Sequence, residues 1–79
     1  MSPPRVRLTY PEALVREPIV GRLVRDFAVM VNIRRADVAE DVSWIVCELD
    51  GEPASVEAAL AWLEGLGVRV DHLDGPLES

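Results

Sequence analysis

Four short segments of the chain alternate apolar and polar residues with a period of two, the pattern of strands that bury one face. In the first segment the alternation places Val6, Leu8 and Tyr10 on one side. The four predicted strands are Arg5 to Tyr10, Val29 to Arg35 or a little beyond, Val42 to Leu49 and Val68 to Asp71. In the third strand, one side carries Ser43, Ile45, Cys47 and Leu49, and the other carries Val42, Trp44, Val46 and Glu48.

Two other segments have apolar residues at helical spacing, each behind a proline that suits a first helical position. The first helix starts at Pro18 and ends near Phe27 or Ala28, whereas Pro11 to Glu17 is expected to be a loop. Its apolar stripe is Ile19, Val20, Leu23, Val24 and Phe27. The second helix starts at Pro53, its stripe is Val56, Ala59, Leu60 and Leu63 with Trp62 at the margin, and Gly65 and Gly67 are suited to ending it.

The predicted order is strand, helix, strand, strand, helix, strand. The short polar stretch from Ala36 to Asp41 favours a hairpin between the second and third strands. With right-handed crossovers, this order gives a ferredoxin-like α+β fold, in which both helices cover one face of a four-stranded antiparallel sheet. We expect one domain over residues 5–74, with flexible ends at 1–4 and 75–79.

The other face of this predicted sheet has no helix to cover it. Its predicted members are Arg7, Thr9, Met30, Asn32, Arg34, Val42, Trp44, Val46, Arg69 and Asp71. Because an apolar group on an open face is typical of an interface, we expect Trp44, Val42 and Val46, with Met30 nearby, to join two copies. A homodimer or a higher even-numbered oligomer is the predicted assembly.

Composition narrows the classes of function. With 79 residues, 49% of them hydrophobic, the chain is one folded domain, and its net charge of −6 disfavours binding to nucleic acid or to an anionic membrane. The longest apolar run, Ala58 to Leu63, is too short to span a membrane, and Met1 to Arg5 lack the apolar core of an export signal. The single cysteine, Cys47, fits a reducing cytoplasm and gives no multi-cysteine metal site.

Catalytic residues are few, so we predict no enzyme activity and no cofactor. Arg16 and Asn32 resemble the phosphate-binding pair of acylphosphatases, but their loop has carboxylates at Glu12 and Glu17 instead of a glycine-rich cradle. His72 is the only histidine, and Cys47 is predicted to point inward. Recognition of RNA on such a sheet needs paired aromatic side chains, whereas only Trp44 is predicted on the open face.

Several motifs in order resemble the NIL domain. They are Phe27 to Ile33, Glu48 to Gly51 and Val56 to Leu63, together with Tyr10-Pro11 and Glu17-Pro18. The Asn-Ile-Leu motif that names the family is represented by Asn32-Ile33-Arg34, so Arg34 replaces the motif leucine. The glycine often found before the third strand is also absent, with Asp41-Val42-Ser43 in its place. The resemblance covers residues 5–73.

This resemblance implies a ferredoxin-like, ACT-like domain of the kind that ends the ATPase subunit of bacterial methionine importers, where it binds methionine and inhibits transport. The family also includes domains fused to ferredoxin modules and small stand-alone proteins of sulfur amino-acid metabolism. The family's ligand lies between two copies of the domain, and the role of the motif asparagine would fall on Asn32.

We therefore expect a cytoplasmic regulatory domain that senses methionine or a related apolar amino acid. Its predicted ligand-binding residues are Asn32, whose amide hydrogen-bonds the ligand, and Ile33 and Met30, which contact a thioether. The alternative is a ligand-free module that docks on another protein of sulfur metabolism. Arg34 discriminates between them, since a guanidinium inside the pocket would oppose a thioether.

Overall fold

Seven elements follow one another in the computed structural model, which describes residues 3–37 and 42–73. They are β1 (Arg5–Pro11), a 3-10 helix (Glu12–Leu14), α1 (Ile19–Phe27), β2 (Met30–Asp37), β3 (Val42–Asp50), α2 (Pro53–Leu66) and β4 (Arg69–His72). The strands form one antiparallel sheet in the order β2-β3-β1-β4. The predicted ferredoxin-like fold is confirmed.

The core lies between the sheet and the two helices. In the register, Val6 pairs with Cys47, Leu8 with Ile45 and Tyr10 with Ser43, and all six residues are buried. The helices add Ile19, Leu23, Val56, Ala59 and Leu63 to the same cluster. The inward and outward faces predicted for β1 and β3 are therefore correct. At the margin, the rings of Phe27 and Trp62 lie 5.3 Å apart and join α1 to α2.

Both helices end on residues in the left-handed region. Gly67 has a φ of 101° and follows α2, where a glycine takes that conformation without steric cost. Ala28 follows α1 with a φ of 55°, which is unusual for a residue with a side chain. The carbonyl oxygen of Ala28 also lies 3.3 Å from the position of a Cβ atom built on Gly51, so the turn after β3 favours glycine. Gly65 lies inside α2 rather than at its end.

The second strand agrees with the sequence prediction at its end and departs from it in the burial of one residue. It was expected to run a little past Arg35, and β2 ends at Asp37, whereas residues 38–41 of the predicted turn lie outside the described part. Ile33 was expected to be inward, and it pairs with the inward Cys47, yet it is 52% exposed. Since β2 is an edge strand, its helix-side residues have a neighbouring strand on one side only.

The loop and the chain ends also differ in detail. A single 3-10 turn, Glu12–Leu14, occupies part of the predicted loop. Pro4, predicted to belong to a flexible end, accepts a hydrogen bond of 3.0 Å from the backbone N–H of Leu49. Residues 1, 2 and 74–79 lie outside the described part, so the predicted flexibility of these residues stays a prediction.

The buried thiol of Cys47 tests this register. Its side chain is fully buried, and burial, together with the nearby charge of Glu48, raises its pKa to about 11. We expect a thiol reagent at neutral pH to leave the native protein unmodified over a time in which the urea-unfolded protein reacts fully, because the thiolate is the reactive form. Rapid modification of the native chain would instead indicate a register shifted by one residue, with Cys47 on the open face.

Candidate functional site

The open face of the sheet is the surface opposite to α1 and α2. Its central apolar residues follow β3: Val42 is 47% exposed, Trp44 is partly buried, and Val46 is only 9% exposed. Val46 is paired with Arg7 on one side and Arg35 on the other, so its neighbours across the sheet are two long side chains. We call Val42, Trp44 and Val46 the β3 row.

Met30 does not belong to this row, although it was expected to lie near Trp44. It pairs with Asp50, six residues along β3 from Trp44, which corresponds to about 20 Å. The alternation identified the face correctly, but the position along the face depends on the register of the β2–β3 hairpin. Met30 is 59% exposed and lies at the end of the sheet where α2 begins.

Two carboxylates on the open face each bridge two arginines. Glu48 accepts hydrogen bonds from Arg5 at 3.2 Å and from Arg34 at 3.0 Å, one on each carboxylate oxygen. Asp71 lies 3.3 Å from Nε of Arg69 and 4.0 Å from Nε of Arg7.

The bridging position of Glu48 has an electrostatic consequence. The hydrogen bonds from Arg5 and then Arg34 hold the pKa of Glu48 below its ordinary value. Arg34 therefore replaces the motif leucine with a guanidinium that is bound to a neighbouring strand. Arg34 is the residue that separates the two functional hypotheses, and in the structure its guanidinium is bound to Glu48.

The three predicted ligand-binding residues lie on one edge strand but not on one face. Asn32 pairs with Glu48, is exposed, and shares the open face with Met30. Ile33 pairs with Cys47 and therefore points to the helix side. Within one chain, the structure brings Asn32 and Met30 to the same surface and places Ile33 on the opposite side of the same edge.

A β-bulge in β2 was not foreseen from the sequence. Ile33 pairs with Cys47, but Arg35, not Arg34, pairs with the next residue of β3, Val46. The extra residue reverses the alternation, so Ala36 instead of Arg35 faces the helix side. The signal available in the sequence was the pair of adjacent arginines, because an uninterrupted alternation would have directed Arg35 toward the helix side.

A cleft of about 570 Å³ opens at the end of β3, on the helix side. Its walls include Pro3, Pro4, Leu49, Val56 and Leu60, and its charged lining residues are Asp50 and Glu57. The alternation and helical patterns do not reveal this cleft, because its shape depends on how the segment before β1 packs beside the start of α2. Its apolar walls and two carboxylates disfavour an anionic ligand.

Other types of site find no support in residues 3–37 and 42–73. No group of three or more histidine, cysteine, aspartate or glutamate side chains there is arranged to hold a metal ion. Neither α1 nor α2 is long and apolar enough to cross a membrane.

Comparisons with known proteins support the family resemblance. The family model described as the NIL domain matches residues 4–72. The methionine import ATP-binding protein MetN of Chromohalobacter salexigens is 35% identical over 74 residues, covering 89% of this chain and 21% of that protein. MetN of Helicobacter pylori is 33% identical over 61 residues, covering 72% of this chain and 19% of that protein. The chain thus spans about a fifth of the length of these relatives.

The fold also has a counterpart among solved structures. The C-terminal domain of an ABC transporter / ATP-binding protein from Enterococcus faecalis superposes with a TM-score of 0.80 at 22% identity. The match covers 94% of this chain and 87% of that one. At this level of identity the likeness supports the fold alone.

The ion pairs of Glu48 predict a pH-dependent stability. Because the pKa of Glu48 is lowered on folding, its contribution is present above its ordinary value of 4.5 and is lost as the pH falls through the lowered pKa. We expect Glu48→Gln to lower the free energy of unfolding in urea at pH 7. The difference from the wild type should shrink below pH 4.5. Glu64→Gln, at an exposed position of α2, is the control, and an equal effect of both variants would contradict the role of the network.

Proposed function

Because the chain belongs to the NIL domain family, we propose that it is a non-enzymatic regulatory domain that binds methionine or a related apolar amino acid. In this proposal it acts in the cytoplasm and links the level of the amino acid to methionine import or sulfur amino-acid metabolism. The names of the two similar proteins, methionine import ATP-binding proteins, support this substrate class.

The observation that carries the proposal is the position of Asn32. Asparagine is depleted in strands, yet Asn32 lies within β2 at the first position of the family motif, exposed on the open face. Its amide has both a donor and an acceptor to offer to the charged groups of an amino acid. Met30, on the same face, would contact the thioether, and Ile33 would flank the same edge from the helix side.

The proposed assembly is a homodimer through the open face. A domain of 79 residues has a small core, so covering the exposed Val42 and the partly buried Trp44 with a second copy would add apolar burial that one chain lacks, and Val46, only 9% exposed, lies beside them. The open face also carries both arginines and carboxylates, which a second copy can pair across an interface.

A ligand-free interaction module is the second candidate. It is favoured by the partly buried Trp44 and the exposed Val42 on a sheet face that neither helix covers, because such a surface suits another protein of sulfur metabolism as well as a second copy. The two candidates differ in whether methionine changes the stability of the isolated protein.

The test of ligand binding is Asn32→Ala. We expect millimolar methionine to raise the heat-denaturation midpoint of the wild type, since a ligand that binds only the native state stabilises it. Losing a hydrogen bond to a charged ligand group weakens affinity about ten- to a hundredfold, so the variant should shift much less. The unliganded midpoints should be similar because Asn32 is exposed.

Arg69→Gln, at an exposed position on the far edge strand of the same face, is the control and should respond to methionine like the wild type. A shift of neither protein would favour the interaction module. An equal shift of the wild type and Asn32→Ala would mean that a site exists elsewhere.

The test of the assembly is Trp44→Glu. We expect the wild type to sediment as a dimer at micromolar concentration and the variant as a monomer, because a carboxylate would be buried at the centre of the contact. Val24→Glu is the control, as Val24 is 43% exposed on α1, away from the open face. A monomeric wild type, or a dimer that only Val24→Glu disrupts, would refute the open-face interface.

A further inference from the structure

The bulge in β2 gives the open face two adjacent arginines with different surroundings. Arg34, the extra residue, is bound to Glu48 at 3.0 Å. Arg35 pairs with Val46, and directly paired residues of antiparallel strands lie on the same side, so Arg35 also faces outward. A uniform strand would have placed these neighbours on opposite faces.

Arg35 differs from the other arginines of this face in its charge partners. Arg5 and Arg34 are paired with Glu48, and Arg69 and Arg7 with Asp71. Arg35 is exposed and forms no ion pair with any residue in the described ranges, including Asp37, its neighbour on the same face. Its guanidinium therefore offers a full set of donors to an anion from solution, in the fork geometry that matches a carboxylate.

The surroundings of Arg35 suit one end of an amino acid. Asn32 pairs with Glu48 and Arg35 with Val46, two residues apart on β3, so their rows are separated by about 7 Å. Asn32 and Arg35 face the same side of the sheet, so a ligand of the size of an amino acid can reach both. Val46, the cross-strand partner of Arg35, is only 9% exposed and adds little apolar surface beside them.

The charged residues that line the cleft beside α2 are negative, opposite in sign to Arg35. They are the carboxylates Asp50 and Glu57, which repel the carboxylate of a free amino acid. Of the two surfaces, only the one on β2 combines an unpaired cation with a neighbouring amide. The carboxylate group of a ligand is therefore better matched by Arg35 on the β2 surface than by the cleft.

We propose that Arg35, turned outward by the bulge, binds the α-carboxylate of the ligand and makes the site selective for free amino acids over their esters. This inference rests on the proposed function, because it assigns a group of the same ligand to a residue of the same strand. Asn32 then hydrogen-bonds the polar end of the ligand beside Arg35, while Arg34 stays bound to Glu48.

The experiment is calorimetric titration of the intact protein with methionine and with methionine methyl ester, which keeps the side chain and the amine but lacks the carboxylate. We expect the wild type to bind methionine at least about tenfold more tightly than the ester. Arg35→Gln should weaken methionine binding roughly ten- to a hundredfold and leave ester binding unchanged, so that the selectivity is lost. Arg35→Lys keeps the charge without the fork and should recover only part of the selectivity.

Arg69→Gln is the matched control, since it removes an exposed arginine of the same face that is paired with Asp71. It should bind both compounds like the wild type, and far-ultraviolet circular dichroism should confirm that every variant is folded. If the wild type binds methionine and Arg35→Gln binds it equally well, or if the wild type does not prefer methionine to the ester, the role of Arg35 is refuted while the proposed function stands. If the wild type binds neither compound, both are refuted.

Discussion

The pairing of β1 with β3 is the constraint on which the rest of the structure depends. These two central strands align Val6 with Cys47 and Leu8 with Ile45, and the pleat then assigns every other side chain of both strands to the helix side. A slip of one residue would turn Glu48 into the core and Cys47 out of it. The buried face therefore fixes the open face as well, including the position of Glu48 between Arg5 and Arg34.

The edge position of β2 follows from the same topology and explains why candidate function concentrates there. β3 lies between β1 and β2, so β2 has a strand neighbour on one side only. Its side chains can vary in chemistry at little cost to the core, and its described residues include Asn32, Arg34, Arg35 and Asp37. The bulge adds one more charged residue to the open face of β2, because it turns Arg35 away from the helix side.

Much of the fold could be predicted from the sequence because burial imposes regular periods. The inward residues of β1 and β3, the prolines at the starts of the helices and Gly67 after α2 all follow from local rules. The bulge was not predicted, since both a regular and a bulged strand satisfy the pattern up to Ile33 and only the adjacent arginines beyond it indicate an interruption.

The distance between Met30 and Trp44 could not be predicted from the alternation either, because alternation gives the face of a residue but not its partner across the sheet. The position of Asn32 on the open face was predicted correctly. Its role as a ligand contact comes only from the family motif.

The proposed ligand site and the proposed dimer contact occupy the same face, and this has a thermodynamic consequence. Val46 belongs to the β3 row and is also the cross-strand partner of Arg35, so a second copy seated on the row would border a ligand held by Arg35 and Asn32. Two binding events that share surface residues must change each other's affinity by the same factor. A regulatory domain needs such a coupling. The binding of a small amino acid can affect another protein only if it alters a larger contact between protein surfaces. In this chain, the bulge places the proposed ligand anchor beside the central apolar surface.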